Sequence, residues 1–293
     1  SRIACHFAGV GLQVLLLDIQ PKDLPVDAKP SDRNKIVNDA LAAAIKSNPS
    51  PVYTADVAKR IKTGNFTDNM KDIADCDWVI EVVVERLDIK QSVFSEVEKY
   101  RKPGTLITSN TSGIPIHLMT EGRSDDFKKH FCGTHFFNPP RYLRLLEVIP
   151  TPHTDPAVVD FLMHYGDLTL GKTTVLCKDT PAFIANRIGV YGMMAIMNTM
   201  EQLKLTVDEI DALTGPVIGR PKSATFRTAD VVGIDTLVKV AKGVYDNCPA
   251  DEAKEQFIIP AWLNKMVENN WLGDKTGQGF FKKTKGAGGE KEI

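Results

Sequence analysis

The sequence has 293 residues, 43% hydrophobic and 25% charged, with a formal net charge of −1. That is the make-up of a soluble globular protein of about two domains, and its near-neutral balance gives no reason to expect nucleic acid or an acidic membrane surface as a partner. No apolar run reaches the roughly 18 residues of a membrane span.

In chain order, Ile3, Ala4, Phe7 and Ala8 recur at helical spacing until Gly9 and Gly11 interrupt them. Val14 to Leu17 form a continuous apolar run ended by Asp18, the pattern of a buried parallel strand. A helix feeding such a strand is the second half of a β-α-β unit, so a first strand and a glycine-rich loop are expected ahead of Ser1. Residues 21–76 are polar and mostly helical in pattern, with a proline-rich stretch at 49–51. Strands are expected at 78–84 (WVIEVVV) and 105–110 (TLITSN), with the helical LDIKQSVFSEVEKY between them. Two more strand-like runs lie in HFCGTHFFNPPRYLRLLEVIP (130–150), on either side of a double proline. A helix near 155–170 and the strand-like TTVLCKD (173–179) follow.

Strands alternating with helices indicate an α/β fold with a doubly wound parallel sheet. From Pro181 the pattern is helical nearly to the end, and Thr206-x-x-Glu209 forms a capping box. The expected organisation is an α/β domain over 1–178, an all-helical domain over 179–283, and a Gly- and charge-rich tail or linker over 284–293. Five scattered cysteines, with neither CxxC nor metal spacing, suit a reducing compartment, most simply the cytoplasm.

Several residues carry chemistry. An acid at the position of Asp18 accepts hydrogen bonds from adenosine ribose hydroxyls in dinucleotide-binding folds and repels a 2′-phosphate, which favours NAD over NADP. The plain alternative is an ordinary strand-end acid. Glu85 and Lys90 follow the 78–84 strand on the sheet edge where ligands bind, although a solvated loop acid and a helix-surface lysine fit the spacing equally. Ser109, Asn110, Thr111 and Ser112 end the next strand and suit either a site or a turn.

His135 and Glu147 form the sharpest pair. Each lies mid-run in an apolar strand, and the intervening PPRY can turn the chain so that the strands are neighbours. An ionised carboxylate is costly to bury without a partner. Bonded to an imidazole, it fixes the tautomer and makes the other ring nitrogen a general base. A purely structural buried pair is the alternative. Met193, Met197 and Met200 fall at i, i+4 and i+7, a helix-packing stripe more than an acyl pocket. The remaining histidines show no ligand spacing, so no metal site is expected.

HFFNPP followed by LLEVIP, SNTS (109–112), EVVVERLDIK, DTPAFIANRI (179–188) and the closing KTGQGFFKK together resemble the L-3-hydroxyacyl-CoA dehydrogenases. The similarity runs from residue 1 to about 283, in particular to the dehydrogenase segment of longer bacterial chains fused to an enoyl-CoA hydratase. The resemblance implies a Rossmann domain holding NAD and a helical domain that completes an acyl-CoA cleft and dimerises. It implies that His135 is the catalytic base, Glu147 its partner, and that Ser112 and Asn186 hold the substrate oxygen. It also implies NAD contacts from Asp18, Glu85, Lys90, Ser112 and Asn138. The reaction would be NAD-dependent oxidation of (S)-3-hydroxyacyl-CoA in fatty-acid β-oxidation. Two rivals share the plan: a lysine-dependent 3-hydroxyacid dehydrogenase, and a non-catalytic, crystallin-like protein that kept the fold.

Overall fold

The computed structural model describes residues 1–285, 291 and 292, which divide into two compact units, Ser1–Asp179 and the chain from Thr180 onward.

The first unit is the α/β part. After the helix Arg2–Gly9, β1 (Val14–Asp18) pairs in parallel with β2 (Ile61–Asn65). A five-stranded sheet follows in the order β3 (Trp78–Glu81), β4 (Leu106–Ser109), β5 (Phe131–Phe136), β6 (Leu145–Pro150) and β7 (Thr173–Leu176). Its pairs are parallel except β5–β6, which is antiparallel. The short PPRY connection dictates that exception, because a parallel return would need a crossover of about a dozen residues or more.

Two expectations are corrected here. Residues 21–76 hold not only helices, such as Lys35–Lys46, but also β2, whose IKTGN has no strand-like apolar pattern. Pairing with β1 makes it a strand. The run WVIEVVV is a strand only to Glu81; Val82 and Val84 are 55% and 59% exposed. The ladder ends because β4 ends at Ser109 and because the Glu81 carboxylate itself accepts the Val83 N–H at 2.5 Å.

Burial of apolar side chains holds the sheet in place. Phe94 of the helix Leu87–Tyr100 packs edge-on to Phe127 and Phe131, all three fully buried. Such side chains each contribute about 1.5–3 kcal/mol by leaving water.

The second unit is built on helices Ala185–Leu203, Val207–Thr214, Phe226–Val232, Ile234–Asn247 and Ala261–Glu268. Met197 is fully buried in its core, with Met193 and Met200 packed against it, so the methionine stripe is core. The capping box forms: Thr206 N–H donates to Glu209 at 2.8 Å, and Glu209 N–H donates back to the Thr206 hydroxyl. The second glycine of KTGQGFF has a steric cause. The buried Asp230 carboxylate accepts from the N–H groups of Phe280 and Phe281, and a Cβ at Gly279 would stand 2.0 Å from it. Most of the tail expected over 284–293 lies outside the described residues; Thr284–Lys285 pairs with Lys291–Glu292. Among the described residues no helix is long and apolar enough to cross a membrane.

Candidate active site

The antiparallel register sets His135 directly opposite Glu147. Directly opposed residues share a face of the sheet, and there His135 Nδ1 lies 2.7 Å from Glu147 Oε2. Both are inside the protein, with His135 6% and Glu147 0% exposed. The imidazole ring also packs against Phe137, with 4.5 Å between ring centres. With Nδ1 committed to the carboxylate, Nε2 is the basic nitrogen of the ring. The next residue is fixed as well: Phe136 N–H donates to the Asn110 side chain at 2.9 Å, and Asn110 N–H donates to the Glu81 carbonyl.

A second cluster sits at the carboxyl ends of β3 and β4. Glu85 Oε1 accepts from Thr111 Oγ1 at 2.6 Å, Ser112 N–H at 3.1 Å and Gly113 N–H at 2.8 Å. Burial pushes the Glu85 carboxyl up. The Thr111 hydroxyl, the Lys90 ammonium and the Gly113 and Ser112 N–H groups outweigh it and hold the group below the usual carboxylate value. Lys90 is not the helix-surface lysine that spacing allowed. Its side chain is 1% exposed and bonded to both oxygens of Glu81, at 2.8 and 3.0 Å. Glu81 itself was missed. Its signal is the one that singles out Glu147, a lone acid inside an apolar run, with a lysine nine positions on in the next helix.

Asp18 ends β1 half-buried, with Oδ1 accepting the Ile19 N–H at 2.8 Å. Asn138 is exposed, and its Oδ1 accepts from Arg2 at 3.0 Å. Both line a groove of about 2270 Å3, together with Asn110 and Glu81. Residues of β1 and of β3 line the same groove, which is an edge of each: among the described residues β1 is bonded only to β2, and β3 only to β4. The groove runs along both strands, from Gln13 and Asp77 to Ile19 and Val84, and Asp18, Asn110 and Asn138 line it; Asp18 ends β1 at a carboxyl end of the kind where open α/β sheets bind ligands. The donor and acceptor set therefore fits a dinucleotide.

The structure thus brings His135 to Glu147, joins Glu85 and Ser112 in one cluster, and puts Asp18 and Asn138 on one groove. Asn186 belongs to the second unit, half-buried in the first turn of the helix Ala185–Leu203. Two left-handed residues precede that helix, Ala182 (φ 63°) and Phe183 (φ 49°). Among the described residues no group of His, Cys, Asp and Glu is placed to hold a metal ion.

Residues 1–180 match the family described as 3-hydroxyacyl-CoA dehydrogenase, NAD binding domain, and residues 183–283 match the C-terminal domain of the same enzymes. A probable 3-hydroxyacyl-CoA dehydrogenase of Bacillus subtilis is 49% identical over 97% of the chain and 37% of its own length. A putative fatty acid oxidation complex trifunctional enzyme of Rickettsia felis is 35% identical over 96% of the chain and 38% of its own length. The chain therefore spans little more than a third of either relative. The crystal structure of (S)-3-hydroxybutyryl-CoA dehydrogenase from Ralstonia eutropha superposes with a TM-score of 0.77 at 27% identity, covering 96% of this chain and 94% of that one.

Proposed function

The chain belongs to the 3-hydroxyacyl-CoA dehydrogenase family, and we propose that it catalyses (S)-3-hydroxyacyl-CoA + NAD⁺ → 3-ketoacyl-CoA + NADH + H⁺ in fatty-acid β-oxidation. The observation that carries this reading is the 2.7 Å contact between His135 and Glu147 inside the sheet.

NAD, when bound, supplies the acceptor for the hydride leaving C3. The protein's residues do the rest. Glu147 accepts the Nδ1–H of His135, so Nε2 faces the substrate hydroxyl as the base and takes its proton. The Glu147 charge stabilises the imidazolium so formed. Ser112 and Asn186 donate to the C3 oxygen, a role whose loss costs about two to three decades in rate. On the cofactor side, Asp18 receives the ribose hydroxyls and disfavours a 2′-phosphate, while Glu85, Ser112 and Asn138 complete the contacts. Lys90 contributes through Glu85. A strand and glycine loop seated between the edges of β1 and β3 would complete the pyrophosphate cradle.

The reading includes a homodimer formed through the second unit. The same reading makes the chain the dehydrogenase segment of a longer cytoplasmic protein that includes an enoyl-CoA hydratase.

The test is a spectrophotometric assay of NADH consumption with acetoacetyl-CoA on the full-length protein. Turnover with NADH well above that with NADPH is expected, and Asp18→Ala should narrow the difference. No turnover would favour the crystallin-like alternative. Turnover that survives His135→Gln would favour a lysine-dependent enzyme.

A further inference from the structure

We propose that Glu81 is a positioning residue that sets the Ser112 loop through Lys90 and Glu85. The inference rests on the reading of Ser112 as a substrate and cofactor contact.

Three groups converge on the Glu81 carboxylate. Ser109 Oγ donates to Oε2 at 2.5 Å, Val83 N–H donates to Oε1 at 2.5 Å, and Lys90 Nζ lies within 3.0 Å of both oxygens. The side chains of Glu81 and Lys90 are 0% and 1% exposed. Held from that side, Lys90 Nζ also faces Glu85 Oε2 at 3.4 Å. The opposite oxygen of Glu85 receives the hydroxyl of Thr111 and the N–H groups of Ser112 and Gly113. The contacts therefore run in series from the end of β3, through the helix Leu87–Tyr100, to the loop after β4.

Folding alone does not account for this arrangement. A buried ion pair gives little net stability over apolar residues of the same volume, and the sequence has apolar residues on both sides of Glu81. The arrangement does account for where Glu85 points. With two carboxylates and one ammonium, Lys90 is shared, and Glu81 holds the larger share. Glu85 is left with an oxygen for the loop. Without the Glu81 charge, the ammonium would close on Glu85, its remaining carboxylate, and draw it away from residues 111–113.

The experiment measures kcat and KM for NADH and acetoacetyl-CoA on the full-length protein for Glu81→Gln, Ser112→Ala and the double variant. Glu81→Gln should lower kcat about tenfold to a hundredfold, the scale of a misplaced reacting group. The double variant should turn over no more slowly than Ser112→Ala, because both changes act through one contact. Losses that multiply would overturn the proposal while leaving Ser112 in the site, and so would an unchanged kcat in Glu81→Gln. Ordinary turnover in Ser112→Ala would overturn the reading of Ser112 and this proposal with it. If Glu81→Gln does not fold, Glu81→Asp, whose shorter side chain withdraws the carboxylate from Lys90, carries the test: it should lower kcat in the same direction, and an unchanged kcat would overturn the proposal.

Discussion

Glu147 and Glu81 are both acids set in apolar strands of one five-stranded sheet, each 3% exposed or less, yet they face different bases. Glu147 meets an imidazole across an antiparallel pair, and Glu81 meets an ammonium from the following helix. An imidazole exchanges its proton near neutrality, so a carboxylate beside it influences a proton transfer. An ammonium ordinarily keeps its proton there, so the carboxylate beside it influences position. Similar burial of the same group thus sets a carboxylate beside a group that exchanges protons in one place and beside a fixed charge in the other.

The largest effect that could break this contrast is on catalysis. His135→Gln should fold and bind NAD yet lose roughly two to four decades in kcat, the usual worth of a general base. Near-normal turnover in stopped assays would take His135 out of the mechanism and reduce the pair to structure.

Next comes stability at the other pair. Lys90→Met leaves the Glu81 charge buried without its cation and should cost about 3–5 kcal/mol in urea unfolding. The double variant that also carries Glu81→Gln should regain most of it. A single variant as stable as the parent would mean that water reaches Glu81 and the cluster is not closed.

A smaller effect sharpens the first pair. Glu147→Gln keeps the shape but removes the charge that stabilises the imidazolium, so kcat should fall by about one to two decades. Combined with His135→Gln it should add almost nothing, since residues that act as one unit are not additive. Two independent losses in kcat/KM would mean that Glu147 is buried for another reason.

The last effect comes from a histidine with no carboxylate. His6 is 9% exposed, and its Nε2 lies 3.1 Å from the Leu170 carbonyl. Burial, with the Lys172 charge nearby, lowers its pKa to about 4 against the Leu170 contact. The unfolded chain, near the ordinary value of about 6.5, therefore binds the proton first as pH falls. Stability is present above about 6.5 and is lost between there and about 4, by up to about 1.4 kcal/mol per pH unit. His6→Asn should flatten that slope in denaturation midpoints measured across the range. An unchanged slope would assign the acid loss to other groups.

Much of this was legible in the residues. The alternation of strand and helix, the capping box at Thr206 and the methionine stripe follow from local periodicity, which side chains obey wherever the element sits. The pairing of His135 with Glu147 was legible too, because both are lone polar groups in apolar runs joined by a short turn, and a buried charge requires a partner. Three features were not. IKTGN becomes β2 only because β1 offers it an edge. WVIEVVV stops at Glu81 because its neighbour stops and a side chain takes the next N–H. Lys90 is buried because Glu81 lies one strand-to-helix connection away. The sequence by itself determined most of the elements and the pairing of His135 with Glu147, whose strands are joined by a turn. Tertiary structure decided where strands end and which cation each acid receives, because those outcomes depend on backbone partners and charges brought together from separate elements.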